Sequence, residues 1–461
     1  MNINTITAVY FVGAGGIGMS ALIRYFLSKG KQVGGYDKTP SDLTAQLNRE
    51  GAVIHYEDNV SLIPDAFKNP AQTLVVYTPA VPESHTELTY FRQNGFEIMK
   101  RARVLGEITN CSRALCIAGT HGKTTTSSML AHLLKQSHVD CNAFLGGILK
   151  NYDSNLMLSA KSDLTVIEAD EFDRSFHWLT PYMAVITAAD PDHLDIYGTA
   201  EAYRESFEHF TSLIRPDGCL IMRKGIDVTP RLQEGVKLYT YSASEGGDFH
   251  AENIRIGNGE IWFDFVGPDI RIADIQLGVP VKVNIENGVA AIALAWLNGV
   301  TPEEIKKGMA SFAGPKRRFD FHLKKENIAL IDDYAHHPAE LKASIQSVKE
   351  LYAGRKVTGI FQPHLYTRTR DFAADFAASL SLLDELILLD IYPAREEPIP
   401  GVTSEIIFDA VTIPAKKLIR KGELLDLVEK EADTFEIVLM VGAGDIDRLI
   451  EPVKQILDKK L

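Results

Sequence analysis

Short apolar runs that end in glycine or a carboxylate, each followed by a stretch of helical periodicity, recur along most of the chain. AVYFVG (8–13) precedes a glycine-rich turn and a helical stretch over Met19–Lys29, and QVGGYD (32–37) and TLVVYTPA (73–80) are further strands. RALCIAG (113–119) restarts the pattern with a second glycine-bearing turn and a helix over Thr125–Lys135. LTVIEAD (164–170) and MAVITAAD (183–190) end in carboxylates. Strands alternating with helices predict parallel sheets covered by helices. Between Val236 and Val283 the texture changes: KLYTYSA, FHAENIRI, EIWFDFVG and IRIADIQLG alternate polar with apolar positions and are split by glycine, which predicts antiparallel β. Helices over Asn284–Leu297 and Pro302–Phe312 follow. AGPKRRFD (313–320) then reads as a linker, and the βα pattern returns in IALIDDYA, KVTGIFQP, DELILLDIYP and EIVLMVGAGD. The predicted class is α/β in three domains, 1–110, 111–315 and 316–461.

Composition narrows the function. A chain of 461 residues with 48 Lys+Arg against 61 Asp+Glu, formally −13, is a poor match for sequence-independent nucleic-acid binding, which needs clustered cations against phosphate. An anionic substrate must therefore be met by local positive features. Cys111, Cys116, Cys141 and Cys219 form no CxxC pair and predict thiols in a reducing compartment. There is no basic segment followed by a long apolar core at the N-terminus, and no apolar run of about 18 residues, so the expectation is a cytoplasmic protein without a membrane span.

Four polar constellations carry candidate chemistry. Gly13-Ala14-Gly15-Gly16-Ile17-Gly18 lies between a strand and a helix and fits GxGxxG, with Asp37 closing the second strand. Glycines there let backbone N–H groups approach a diphosphate at a helix N-terminus. NAD, FAD or a UDP-sugar satisfies that equally, and so does a tight turn with no ligand. Gly119-Thr120-His121-Gly122-Lys123-Thr124-Thr125 follows another strand, but Ile117 stands where the full GxxxxGK[ST] template needs glycine. Its functional end survives: amides near Gly122 to cradle phosphate, Lys123 to neutralise oxygens, and the Thr124 hydroxyl for Mg²⁺. Glu168-Ala169-Asp170-Glu171 and Asp190-Pro191-Asp192-His193 close the next strands, where carboxylates suit Mg²⁺. His193 is a softer ligand than Mg²⁺ usually takes and on its own reads more readily as structural. Asp332-Asp333-Tyr334-Ala335-His336-His337 and Gln362-Pro363-His364, with Arg368 and Arg370 beyond, sit at later strand ends. They read as electrostatic clamps for a phosphorylated carboxylate substrate, or as a His-rich loop and a basic helix start.

Taken together, GAGGIGMSA, GTHGKTTT, EADEFDRSF, DPDHLDIYG, KRRFD, DDYAHHPAE, FQPHLYTRTRDF, DIYPAREEPIPG and VGAGDI resemble the Mur ligase family over essentially the whole chain. The resemblance implies a Rossmann-like N-terminal domain for a UDP-sugar. It implies a central P-loop ATPase-type domain with a parallel sheet and a small antiparallel part, and a Rossmann-like C-terminal domain for an amino acid. The histidine of GTHGKT and the DDYAHHPAE and YPAREEPIPG strings match the alanine-adding branch. That branch implies ATP-driven amide formation between UDP-N-acetylmuramate and L-alanine through an acyl phosphate. It also implies UDP rather than NAD in the first domain, ATP with two Mg²⁺ ions, and a monomer or weak homodimer.

Residue by residue, the resemblance gives Gly13, Gly15, Gly16, Gly18 and Asp37 to the sugar nucleotide. It gives Gly119, Thr120, His121, Gly122, Lys123, Thr124, Thr125, Asn284, Asn287 and Arg318 to ATP. Thr124 and Glu168 would hold one Mg²⁺ and His193 the second. Lys123 and His193 would serve catalysis, with His336, His364 and Arg368 facing the acyl phosphate and alanine, and His337 also on substrate. Three positions depart from family patterns: Val283 where the adenine-side motif starts with histidine, Leu365 where FQPH is usually followed by arginine, and Phe207 where several later-acting members carry a carbamylated lysine. Arg368, taken to share a helical face with Leu365, is expected to carry more of the missing charge than Arg370. Rival readings are the family branch that attaches a preformed tripeptide, a nicotinamide-dependent oxidoreductase built on Gly13–Gly18, and a P-loop switch ATPase.

Overall fold

The first five strands are β1 (Ala8–Val12), β2 (Gln32–Tyr36), β3 (Val53–His55), β4 (Thr73–Tyr77) and β5 (Glu97–Lys100). They pair parallel throughout in the order β3-β2-β1-β4-β5. The chain reverses direction of winding at β1, so the glycine turn after Val12 lies at the switch point where open α/β sheets take their ligands. β1 is buried at every position, as a strand covered on both faces should be. The structure is a computed structural model; it describes residues 6–459 apart from Pro79, Glu245 and Arg395, and Asp195 by its backbone. Arg395 of the YPAREEPIPG string and Pro79 of the third predicted strand lie outside the described residues.

The central strands are β6 (Arg113–Ala118), β7 (Asn142–Leu149), β8 (Ser154–Met157), β9 (Leu164–Ala169), β10 (Pro181–Ile186), β11 (Cys219–Arg223), β12 (Lys237–Ser242), β13 (Phe249–Gly257), β14 (Glu260–Gly267) and β15 (Ile270–Gln276). Their order is β15-β14-β13-β12-β11-β10-β6-β9-β7-β8. Strands β11, β10, β6, β9 and β7 are parallel, and β8 is an antiparallel edge. One expectation fails here. β12, read as antiparallel, pairs parallel with β11 and, at Tyr241↔Phe249, parallel with β13. Alternation reports that one face is wet, not which way a strand runs, and β12 is exposed at its start and buried at its end. Within 236–283 the antiparallel part is confined to β13, β14 and β15, where two-residue links join β13 to β14 and β14 to β15, too short for a parallel crossover.

The third sheet comprises β16 (Asp320–Lys324), β17 (Ala329–Asp333), β18 (Val357–Phe361), β19 (Glu385–Leu389), β20 (Lys416–Ile419) and β21 (Ile437–Val441), ordered β16-β17-β21-β18-β19-β20. All pairs are parallel except β16, an antiparallel edge that takes over the last residue of the predicted linker.

The chain forms two compact units. One runs to Glu252 and includes Asp264–Ala273 and Glu286–Ser311; the other contains Asn253–Phe263, Asp274–Ile285 and the chain from Phe312 onward. Within the first unit, Phe11, Leu22 and Phe26 share one buried cluster with Phe144, Ile167 and Phe176. The change at residue 110 is thus a change of sheet and not of core. Among the described residues, no helix is long and apolar enough to cross a membrane.

Candidate active site

After Ala118 the chain turns through Gly119–Gly122 into the helix Lys123–Lys135. Gly119 stands at φ 139° and Gly122, the helix cap, at φ 83°. Side chains are excluded as well: a Cβ on Gly119 would lie 2.1 Å from Thr187 Oγ1, and one on Gly122 would lie 2.7 Å from Asn287 Oδ1. Thr187 Oγ1 donates to His121 O (2.5 Å) and Ala118 O (3.1 Å), and Thr120 Oγ1 donates to Asp190 O (2.8 Å). The turn is therefore pinned from the end of β10, where Ala188 O also takes the Thr120 amide (3.1 Å), and the N-terminus of the helix Lys123–Lys135 is presented to an anion.

Lys123 and Thr124 open that helix. Lys123 Nζ donates to Gly119 O (2.7 Å) and to Glu171 Oε1 (2.9 Å), whose side chain is 2% exposed. Thr124 Oγ1 donates to Glu168 Oε1 (2.9 Å), and Glu168 Oε2 accepts from Gly146 N (3.0 Å). Burial raises the Glu168 carboxyl above its ordinary range, against the Thr124 hydrogen bond and the Lys123 charge; burial likewise raises Glu171, against Lys123. A hydroxyl and a carboxylate are the hard oxygen donors Mg²⁺ takes. Among the described residues, no group of three or more His, Cys, Asp and Glu side chains converges to hold a metal. A cation here would keep water and phosphate oxygens in its shell, as Mg²⁺ does. Among the described residues no hydrogen bond brings His193 to this pair: it stands at φ 52°, its backbone N–H donates to Asp192 Oδ1 (2.7 Å), and its ring packs edge-on to Phe172 (5.1 Å).

Of the remaining nucleotide candidates, Asn287 is buried and accepts from Thr126 Oγ1 (3.2 Å), and buried Asn284 donates to Val279 O (3.2 Å). Val283 is exposed, Thr125 half-buried and His121 exposed. At the first turn, Gly13 (φ 92°) has room for no Cβ beside Thr78. Asp37 Oδ2 accepts from Gly15 N (2.6 Å) and its Oδ1 from Thr39 N (3.0 Å), tying the turn to the end of β2. Gly16 caps the helix Ile17–Ser28. A cavity of about 240 Å³ lies among Gly16, Gly18, Arg101, Gly146, Glu168 and Asp170.

The second unit gathers its own cluster. His336 Nδ1 donates to Tyr334 O (2.9 Å), leaving Nε2 of the neutral ring as an acceptor. The His336 and His364 rings meet edge to face at 6.2 Å, His364 stacks on Tyr392 (5.8 Å), and Arg368 Nη1 lies 3.4 Å from His364 Nδ1. Burial, with Arg368 and His336 beside it, holds the His364 imidazole below its usual pKa, against Glu396. His337 turns instead to Phe372 (4.9 Å) at the start of the helix Pro338–Leu351. Arg318 is exposed and acts on Asp333; its neighbour Arg317 lies over the Tyr334 ring (4.9 Å) and donates to Gly442 O (2.5 Å). Leu365 shares no helical face with Arg368, because it sits at φ 73° outside the helix Tyr366–Asp371. Arg368 still faces His364, while Arg370 pairs with Asp371 (2.7 Å).

Sequence reasoning gave no role to Gly146, Tyr392 or Glu396, and it placed Glu171 only among the carboxylates suited to Mg²⁺, whereas Glu171 pairs with Lys123. A glycine pair inside the strand FLGGIL signals close backbone approach, and Gly146 provides it: a Cβ there would lie 2.3 Å from Glu168 Oε2. Glu396 accepts from Thr367 N (3.0 Å) and so fixes the start of the Arg368 helix. Nothing in the local pattern distinguishes it from Glu397.

Three domain descriptions match the chain in order: the Mur ligase family catalytic domain over residues 8–113, the Mur ligase middle domain over 117–295 and the Mur ligase glutamate ligase domain over 317–444. The chain is 81% identical over 461 residues to the UDP-N-acetylmuramate–L-alanine ligase of Parabacteroides distasonis, covering 100% of this chain and 99% of that protein. It is 65% identical to the ligase of the same name from Phocaeicola vulgatus, covering 100% of both. The crystal structure of a UDP-N-acetylmuramate–alanine ligase from Thermotoga maritima superposes with a TM-score of 0.79 at 28% identity, covering 98% of this chain and 99% of that one. The oxidoreductase and switch-ATPase readings account for none of these matches, and the chain belongs to the Mur ligase family.

Proposed function

We propose that the protein is an ATP-dependent ligase that joins L-alanine to the lactyl carboxylate of UDP-N-acetylmuramate. The observation that carries the reaction type is the opening of the helix Lys123–Lys135, where a lysine and a threonine on a glycine turn face the buried carboxylates Glu171 and Glu168. The names of the full-length relatives support the substrate pair. The reading assigns 1–110 to the sugar nucleotide, 111–315 to ATP and 316–461 to the amino acid, in a cytoplasmic monomer or weak homodimer.

A carboxylate attacking a triphosphate is anion meeting anion, so the site must neutralise and align charge. A lactyl oxygen attacks the γ-phosphorus, the bond to the β-bridging oxygen breaks, and ADP leaves. The amine of alanine then attacks the acyl carbon, sheds a proton, and the phosphate departs with the former carboxylate oxygen. Lys123, given up by Glu171, neutralises phosphate oxygens, and the amides at the N-terminus of its helix donate to others. Thr124 and Glu168 would hold Mg²⁺, which supplies charge neutralisation; the reading takes two such ions. His364, whose pKa is lowered by burial and by the Arg368 charge beside it, accepts the proton of the incoming amine in its neutral form, and Arg368 holds the acyl phosphate.

Phosphate release from ATP with UDP-N-acetylmuramate, compared across L-alanine, the tripeptide and no amine, tests this. Turnover is expected only with the sugar nucleotide and an amine together, and fastest with L-alanine. Faster turnover with the tripeptide would establish the recycling branch instead, and equal release without either substrate a switch ATPase.

A further inference from the structure

The cavity beside the first glycine turn holds a cation that the residues discussed so far do not use. Arg101 opens the helix Arg101–Asn110 directly after β5 and lines the cavity together with Gly16, Gly18, Gly146, Glu168 and Asp170. Among the described residues, the charged side chains of that lining besides Arg101 are the carboxylates Glu168 and Asp170, so an anion entering it depends on this guanidinium.

Arg101 is held in place but weakly engaged. Its Nη2 lies 3.5 Å from Asp170 Oδ2, at the outer limit of a hydrogen bond. The adjacent Lys100 meets Asp173 at 2.7 Å, a tight pair, so the slack belongs to Arg101 and not to the whole segment. A guanidinium carries five donors, and one long contact among the described residues leaves its fork open for a carboxylate. Gly18 explains how it reaches this position. A Cβ there would fall 2.5 Å from Arg101 Nη1. The last glycine of GxGxxG therefore makes room for a side chain from another element, besides any role in helix packing.

The placement separates two ends of a ligand. The amides of Gly13 and Ala14 are taken by Tyr36 O and that of Gly15 by Asp37, so a diphosphate would meet the amides at the N-terminus of the helix Ile17–Ser28, which Gly16 caps. Arg101 lies beyond them, on the side of Asp170 and Glu168, and Glu168 is bonded to Thr124 of the phosphate-loop helix. The reacting carboxylate has to arrive on that side.

We infer that Arg101 binds the lactyl carboxylate of the sugar nucleotide, exchanging Asp170 for it, and orients it for attack. This rests on the substrate reading given above. The carboxylate would take two parallel N–H donors in place of one stretched contact, and Asp170 would act as its competitor in the free protein.

Titration calorimetry with UDP-N-acetylmuramate and with UDP-N-acetylglucosamine, which lacks the lactyl group, tests the inference on wild type, Arg101→Ala, Arg101→Lys and Asp170→Asn. Arg101→Ala should weaken UDP-N-acetylmuramate binding roughly 10- to 100-fold, the scale of a charged hydrogen-bonded pair, and leave UDP-N-acetylglucosamine unchanged. Arg101→Lys should fall in between, because a point charge does not replace the fork. Asp170→Asn should tighten UDP-N-acetylmuramate alone, a gain that a merely structural role would not give. It keeps the test open should the Arg101 variants fold poorly. Equal weakening of both nucleotides, or none, overturns the inference. Wild-type protein that binds neither would instead overturn the substrate reading.

Discussion

Gly146→Ala isolates the support beneath Glu168 without touching Lys123 or Thr124. Gly146 is not among the positive-φ glycines, so its backbone accepts alanine. The added Cβ, however, would lie 2.3 Å from Glu168 Oε2 and 2.7 Å from its Cδ, against about 3.4 Å for ordinary contact. The carboxylate must move by roughly 1 Å, losing the Gly146 N–H and the Thr124 hydroxyl as partners. Each such bond is worth about 1 kcal/mol of stability, so the protein should stay folded with its melting point lowered by a few degrees. Catalysis should suffer more, because a misplaced ligand or stabiliser costs about 10²-fold. In a coupled ADP-release assay kcat should drop by about that factor, with the KM for L-alanine unchanged. Since the damage runs through Glu168, Gly146→Ala should add nothing to Glu168→Gln. Activity near wild type, or additive losses in the double variant, would refute this role for the carboxylate.

Lys123→Ala should cost at least about 10³ in rate, and it strips a buried carboxylate of its cation. Burial already raises Glu171, and losing Lys123 raises it further. A carboxyl with a raised folded-state pKa loses stability as pH climbs from its unfolded toward its folded value. The variant should therefore melt lower than wild type at pH 8 and nearly level with it at pH 5, and adding Glu171→Gln should restore melting but not activity. Arg368→Ala should lower the rate roughly 10²- to 10³-fold, whereas Arg370→Ala should stay close to wild type in the same assay. Buried Glu87, held by Tyr10 OH (2.7 Å), is pushed up to about 7 by burial. Its raised pKa costs up to about 3 kcal/mol as pH rises from about 4.5 through 7. Denaturant midpoints of Glu87→Gln should lose that portion of the wild-type pH dependence, and an unchanged slope would show the carboxyl to be solvated.

The parallel βα framework was legible because apolar runs such as AVYFV and ALCIA can be satisfied only between two helical layers. Helix starts were misplaced by up to two residues, since Lys123 and Thr124 look like loop residues until Gly122 is seen as the cap. The direction of β12 was not legible, because an alternating strand pairs equally well either way. The structure brings together two polar neighbourhoods that the sequence names, Thr124 with Glu168, and His336 with His364 and Arg368. Their internal wiring was not legible, because it passes through groups with no local signature, such as the Gly146 amide, the Tyr392 ring and Glu396. The core shared by Phe26 and Phe144 likewise depends on packing between elements far apart in sequence, which periodicity does not record.

The central claim is that the lactyl carboxylate, activated by phosphate from ATP, becomes the amide carbonyl. UDP-N-acetylmuramate labelled with ¹⁸O in that carboxylate, turned over with ATP and L-alanine, tests it by mass spectrometry of the products. The account predicts one labelled oxygen in each inorganic phosphate released, the other in the amide, and none in ADP. Unlabelled phosphate, or label carried into AMP, would contradict it.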